Sequence, residues 1–183
     1  IICSFLFPPF FIFPLGFLIF PYLYFILKDM KIHKINKFNQ FIYGTSFGLG
    51  LNLIVLYWVR EPFLFNPSTV NYSSISFFLT FYVSIYFGFA FLILCFFKND
   101  FSKLIMIPVV FVITEIVREN FLFGFPWLTF AVIASSNYYI LQLVYFIGTN
   151  GLSFVLIFLF LIPVSIFILI KNKKEIFLKI YLM

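Results

Sequence analysis

Five long apolar runs limit how this chain can fold: Phe10–Leu27, Phe41–Trp58, Ile75–Phe97, Leu104–Phe123 and Leu143–Ile170. A helix of about 20 apolar residues crosses a bilayer. Open strands cannot satisfy their backbone groups in lipid, and these runs lack the period-two alternation of barrel strands. The expectation is an all-α, polytopic transmembrane helical bundle with five full spans. Composition agrees: the 183 residues are 64% hydrophobic and 10% charged, with a mean hydropathy of +1.14. Too few polar residues remain to cover a soluble domain. Ile1–Phe7 reads as the end of an earlier span and Glu175–Met183 as the start of a further one. Partial, truncated spans are therefore expected at both ends, and 1–183 reads as one transmembrane domain. Phenylalanine, with 33 residues, is expected to fill lipid-facing positions.

The charges orient the spans. Loop 28–40 carries Lys28, Lys31, Lys34 and Lys37; loop 98–103 carries Lys98 and Lys103. Lys171, Lys173, Lys174 and Lys179 follow the last full run, with loop 171–174 as the third basic loop. The alternate loops, 59–74 and 118–142, hold only Arg60 and Arg118. Basic residues mark cytoplasmic loops, so 28–40, 98–103 and 171–174 are expected inside and a continuation past Met183 outside. The net charge of +6 reads as a topology signal near anionic lipid rather than a nucleic-acid site.

Few residues can carry chemistry. Cys3 and Cys95 fall near opposite ends of the bundle, too far apart for a disulfide. His33 has only Asp29 nearby, so neither a metal nor a cofactor is expected. The stretch Thr114–Leu128 is richer. Glu115, Arg118 and Glu119 stand at i, i+3 and i+4 and share a helical face. An acid at the depth of Glu115 is costly in lipid. The residues leave two readings open: a Glu115–Arg118 ion pair inside the bundle, or a polar wall near a lipid headgroup site. Gly124 and Pro126 then stop the helix, leaving Trp127 at the outer interface, where Tyr57 and Trp58 play the same part. Gly44, Gly48 and Gly50, and further on Gly148 and Gly151, read as points of close helix approach. No nucleophile stands next to a base, so no catalytic residue is assigned in this chain.

The stretch 114–131, TEIVRENFLFGFPWLTFA, resembles the membrane part of apolipoprotein N-acyltransferases, which carry Glu, then Arg, then Gly-Phe-Pro-Trp at this spacing. Residues 5–14 (FLFPPFFIFP), 47–59 (FGLGLNLIVLYWV) and 147–154 (IGTNGLSF) resemble further segments of the family in the same order. The resemblance implies a multi-pass enzyme of the bacterial inner membrane. Such an enzyme moves an acyl chain from a phospholipid, through a thioester on cysteine, to the N-terminal amine of a diacylglyceryl-cysteine lipoprotein. It also implies that catalysis belongs to an extracytoplasmic nitrilase-like domain, which is missing from this sequence. This chain would anchor that domain and line lateral lipid entry, with Glu115, Arg118, Glu119, Gly124, Phe125, Pro126, Trp127, Tyr57 and Trp58 as lining residues. Arg118 is expected to meet phosphate or carboxylate; Phe125 and Trp127 are expected to pack on acyl chains or on the domain above. Two other readings stay open: a non-catalytic scaffold or degenerate remnant, and a small transporter, which would need a polar pathway that this sequence barely supplies.

Overall fold

The computed structural model describes residues 1–97, 99–121 and 124–181, the last ten of these as backbone only. Lys98, Leu122, Phe123, Leu182 and Met183, and the side chains of Lys173, Lys174 and Lys179, lie outside the described residues. The architecture is helical, with no strand among the described residues. In chain order the α-helices are α1 (Gly16–Ile32), α2 (Lys37–Val55), α3 (Glu61–Leu64), α4 (Ile75–Phe96), α5 (Asp100–Asn120), α6 (Tyr138–Leu141), α7 (Val144–Phe160) and α8 (Ile162–Tyr181). Short 3-10 helices fill several of the connections, the longest being Phe130–Ser136.

Two helical segments, Phe13–Ile32 and Val70–Phe96, are long and apolar enough to cross a membrane. The number rises to four if two bent pairs each count as one span: Lys37–Val55 with Tyr57–Leu64, and Val144–Phe160 with Ile162–Lys171. The fourth expected span, α5, is not among them: it has 21 residues but carries Lys103, Glu115, Arg118 and Glu119 along its length.

Element boundaries follow local chemistry more than hydropathy. The first apolar run begins at Phe10, but Pro8, Pro9 and Pro14 withhold backbone donors and α1 starts only at Gly16. Its successor starts ahead of the apolar run, because the Asn36 side chain accepts the Asn39 N–H at 2.7 Å and caps α2. Asn36→Ala is expected to lower stability by about 1 kcal/mol, read as an earlier thermal transition in detergent. The third run coincides with α4. The fourth begins early, at a second cap where Asn99 accepts the Phe101 N–H at 3.1 Å.

The last run differs most. It breaks at Leu161 with a 43° bend, because Pro163 has no N–H and its ring crowds the carbonyl of Leu159. The turn expected at 171–174 instead lies within α8, which continues to Tyr181. Those residues contain neither Gly nor Pro, so nothing local stops a helix there.

α2 and α4 pack antiparallel with little between their backbones. A Cβ on Gly48 would come within 2.7 Å of a Phe87 ring carbon and 2.9 Å of the Ser84 carbonyl oxygen. A Cβ on Gly44 would meet the Phe87 carbonyl oxygen and, at 2.8 Å, Phe91. This small-residue seam lets Asn52 donate to the Ser84 hydroxyl at 2.9 Å inside the bundle. Gly148 is different. A Cβ there would touch nothing, and φ is +70°, so it kinks the start of α7 rather than admitting a neighbour.

Phenylalanine divides between surface and core: Phe65, Phe78 and Phe96 are among many that stay exposed, as the lipid-facing expectation requires, while others turn inward. Phe20, Phe87, Phe111, Phe130 and Phe160, from five separate segments, are all buried. Phe20 stacks on Phe160 with centroids 5.4 Å apart, and Phe130 meets Phe111 at 5.5 Å and Phe20 at 5.6 Å. Large rings with favourable edge contacts fill the centre of the bundle beside its buried leucines, isoleucines and valines.

Lys28, Lys31 and Lys103 gather at one end. Lys28 bridges Asp100 at 2.7 Å, Lys31 donates to the Phe97 carbonyl at 3.0 Å, and the buried Lys103 donates to the Leu27 carbonyl at 3.3 Å. These contacts bring together the basic segments 28–40 and 98–103. Trp58, Trp127 and the end of α5 lie at the other end.

Candidate functional site

At the end away from Lys28, Lys31 and Lys103, α5 stops at Asn120, and the chain is irregular from Gly124 to Thr129. Irregular backbone at membrane depth needs partners for its polar groups. Two buried charges on α5 supply them. Arg118 donates from Nε to the Phe125 carbonyl at 3.2 Å and from Nη2 to the Leu128 carbonyl at 3.0 Å. The Phe125 N–H donates back to the Arg118 carbonyl at 3.0 Å, closing a two-way clasp. Glu115 accepts the Phe130 N–H at 2.6 Å through Oε1. The next N–H, of Ala131, donates to the Ser153 hydroxyl on α7 at 2.9 Å. Carboxylate and hydroxyl thus take the free donors that open the 3-10 helix Phe130–Ser136, where negative charge is favoured.

Glu115 and Arg118 are 2% and 3% exposed, as their expected inward face requires. The two side chains do not pair with each other. Each is used on backbone, the acid on the Phe130 N–H and the base on two carbonyls, so the segment is held at both ends. Arg118 reaches the Phe125 and Leu128 carbonyl oxygens of the irregular segment. Leu128, at φ +72°, carries a backbone strain that its carbonyl's bond to Arg118 helps to hold. Gly124, at φ +55°, takes the left-handed turn without that cost.

The other expected residues divide. Trp127 stacks on Trp58 with centroids 4.9 Å apart and planes 38° apart, joining the irregular segment to the short 3-10 turn after α2. Both rings stay largely exposed, as do Pro126 and Gly124. Phe125 and Glu119 are half-buried. Tyr57 is exposed and takes no part in the stack. From α4, Tyr82 donates to the Phe121 carbonyl at 3.3 Å and shares a 2.6 Å hydrogen bond with Tyr86. Three participants, Ser153, Tyr82 and Leu128, were not picked out as site residues. Leu128 and Ser153 had a signal, their places in the segments 114–131 and 147–154; Tyr82 had none.

These features define a class: a helical membrane protein in which two buried charges, Glu115 and Arg118, hold one irregular segment at the end opposite Lys28, Lys31 and Lys103. A family model described as the apolipoprotein N-acyltransferase N-terminal domain matches residues 1–162, and the chain belongs to that family. No curated protein and no solved structure matches the chain.

Proposed function

We propose that this chain is the membrane platform of an enzyme that transfers an acyl chain from phospholipid to the N-terminal amine of diacylglyceryl-cysteine lipoproteins. In this reading α1, α2, α4, α5 and the bent α7–α8 pair are the five spans of a multi-pass inner-membrane protein. The basic segments 28–40 and 98–103, with Lys171, face the cytoplasm. The clasped segment 124–136 then sits at the outer leaflet, beside the headgroups from which both lipid substrates arrive. The thioester chemistry belongs to the nitrilase-like domain that the family resemblance implies, and no step of it is assigned to residues of this chain.

The observation that carries the reading is the clasp itself. Two buried charges are committed to holding a short irregular loop that presents Phe125, Pro126 and Trp127 at one end of the bundle. Holding charge in a membrane interior costs roughly 2.5–3.5 kcal/mol per residue, and a bundle that needed only a helix–helix turn would not require it. The exposed Trp58–Trp127 pair offers a rigid apolar shelf for acyl chains or for the catalytic domain. In the enzyme carrying its catalytic domain, Trp127→Ala should reduce acylation about 5- to 10-fold at unchanged protein level, while Trp127→Phe keeps most of it. Acylation by Trp127→Ala at the wild-type rate would remove the lining role.

A further inference from the structure

At the lysine-rich end, a cavity of about 340 Å³ lies between the end of α1, the link to α2 and the last turns of α4. Lys31, Lys34 and Lys37 line it, with Gln40 beside them, and no carboxylate does so among the described residues. Its floor is apolar, made by Leu92 and Phe96 among others. Lys31 uses one donor on the Phe97 carbonyl and keeps two. Lys37 lies over the Phe96 ring, 5.6 Å from its centroid. Asp100, the nearby acid, is taken by Lys28.

Lys34 is the most informative of the three. α1 ends in a Schellman motif: the Ile35 N–H donates to the Met30 carbonyl at 2.9 Å, and the Lys34 N–H to the Lys31 carbonyl at 3.1 Å. Lys34 therefore occupies the left-handed position, at φ +48°, where glycine is the usual residue. A lysine there is strained and holds its charge at the cavity wall.

We propose that this cavity binds the phosphate of an anionic phospholipid headgroup. Three ammonium groups with no acid among them suit a phosphodiester, and basic pockets between membrane helices suit such headgroups. A lipid rather than a soluble phosphate is favoured by what continues from the cavity. Phe96, Ile93 and Phe89, at helical spacing on α4, are 65%, 41% and 52% exposed. They form an apolar stripe leading from the cavity toward the middle of the bundle, along which an acyl chain can lie. The leaflet follows from the cytoplasmic orientation proposed above; the headgroup chemistry does not depend on it.

The test is native mass spectrometry of the intact protein released from micelles containing phosphatidylglycerol or phosphatidylcholine. Phosphatidylglycerol should be retained in preference. The double variant Lys34→Gln, Lys37→Gln should weaken its retention by on the order of 25-fold, about five-fold per lysine. The pair Lys34→Arg, Lys37→Arg should restore it, and Arg60→Gln at the other end should change nothing. Lys34→Gly separates binding from folding: it should melt at a higher temperature, because glycine relieves the left-handed strain, and yet retain less lipid. Equal retention of the two lipids, or full retention by the double glutamine variant, would overturn the proposal. Displacement of phosphatidylglycerol by inorganic phosphate at equal concentration would overturn the lipid assignment in favour of a soluble anion. Because micelles have no sidedness, none of these failures bears on the orientation of the bundle.

Discussion

Gly48→Leu is expected to destabilise the protein by about 3 kcal/mol, near the top of the range for overpacking. The reason is the identity of the atoms a side chain would strike. A ring such as Phe87 can turn aside, but the Ser84 carbonyl oxygen at 2.9 Å is backbone of the neighbouring helix. Relief requires α2 and α4 to separate, which also breaks the buried Asn52–Ser84 hydrogen bond. Against a total of roughly 5–15 kcal/mol for a folded domain, this is a large fraction. Two glycines on α7 provide the contrast. Gly151→Ala meets only Ile147 of its own helix, so it should stay within about 0.5 kcal/mol of wild type. Gly148→Ala has open space, but φ +70° with ψ 173° is a conformation essentially reserved for glycine, and about 2 kcal/mol is expected from the backbone alone. Thermal unfolding of the three variants in one detergent checks the order; a Gly48→Leu transition as high as that of Gly151→Ala would refute the close seam.

Arg118→Ala should cost at least about 3 kcal/mol, because hydrogen bonds to a charged group contribute roughly 1.5–3 kcal/mol each and two are lost. The Phe125 and Leu128 carbonyls would be left without that donor, and the strained Leu128 would lose its restraint. Arg118→Lys should recover less than half, since an ammonium lacks the planar fork that reaches two carbonyls at once. Limited proteolysis between Phe121 and Thr129 offers a local readout: cleavage should rise steeply in Arg118→Ala and moderately in Arg118→Lys. Equal resistance in all three proteins would show that the loop holds without the clasp.

Much of this was legible in the sequence because solvent writes itself into composition. The apolar runs mark α1, α2, α4 and α7, and the alternation of basic loops anticipates the gathering of Lys28, Lys31 and Lys103 at one end. The inward face of Glu115 and Arg118 also follows from spacing and the cost of exposing charge to lipid. What they bind does not. Hydropathy treats an ion pair and two separate backbone clasps alike, because both hide the charge, and only the path of residues 124–131 distinguishes them. The start of α2 was missed because a cap at Asn36 is worth more locally than the polarity of Lys37 and Asn39. Continuity through 171–174 was missed because a run of lysines signals water without signalling a turn. Phenylalanine was only half legible: many of its residues face outward as composition suggests, but composition cannot tell which others, such as Phe20, Phe111 and Phe130, fill the core.

The two tryptophans of the sequence are the stacked pair Trp58 and Trp127. All indole absorption and emission of this chain therefore comes from one point, the shelf beside the clasped loop. Rings this close couple electronically, so their circular dichroism and quantum yield depend on the stacking geometry. The molecule thus carries its own optical gauge. Anything that settles on that shelf or pries the two loops apart changes the signal without a label, whereas events at the lysine-rich end leave it dark.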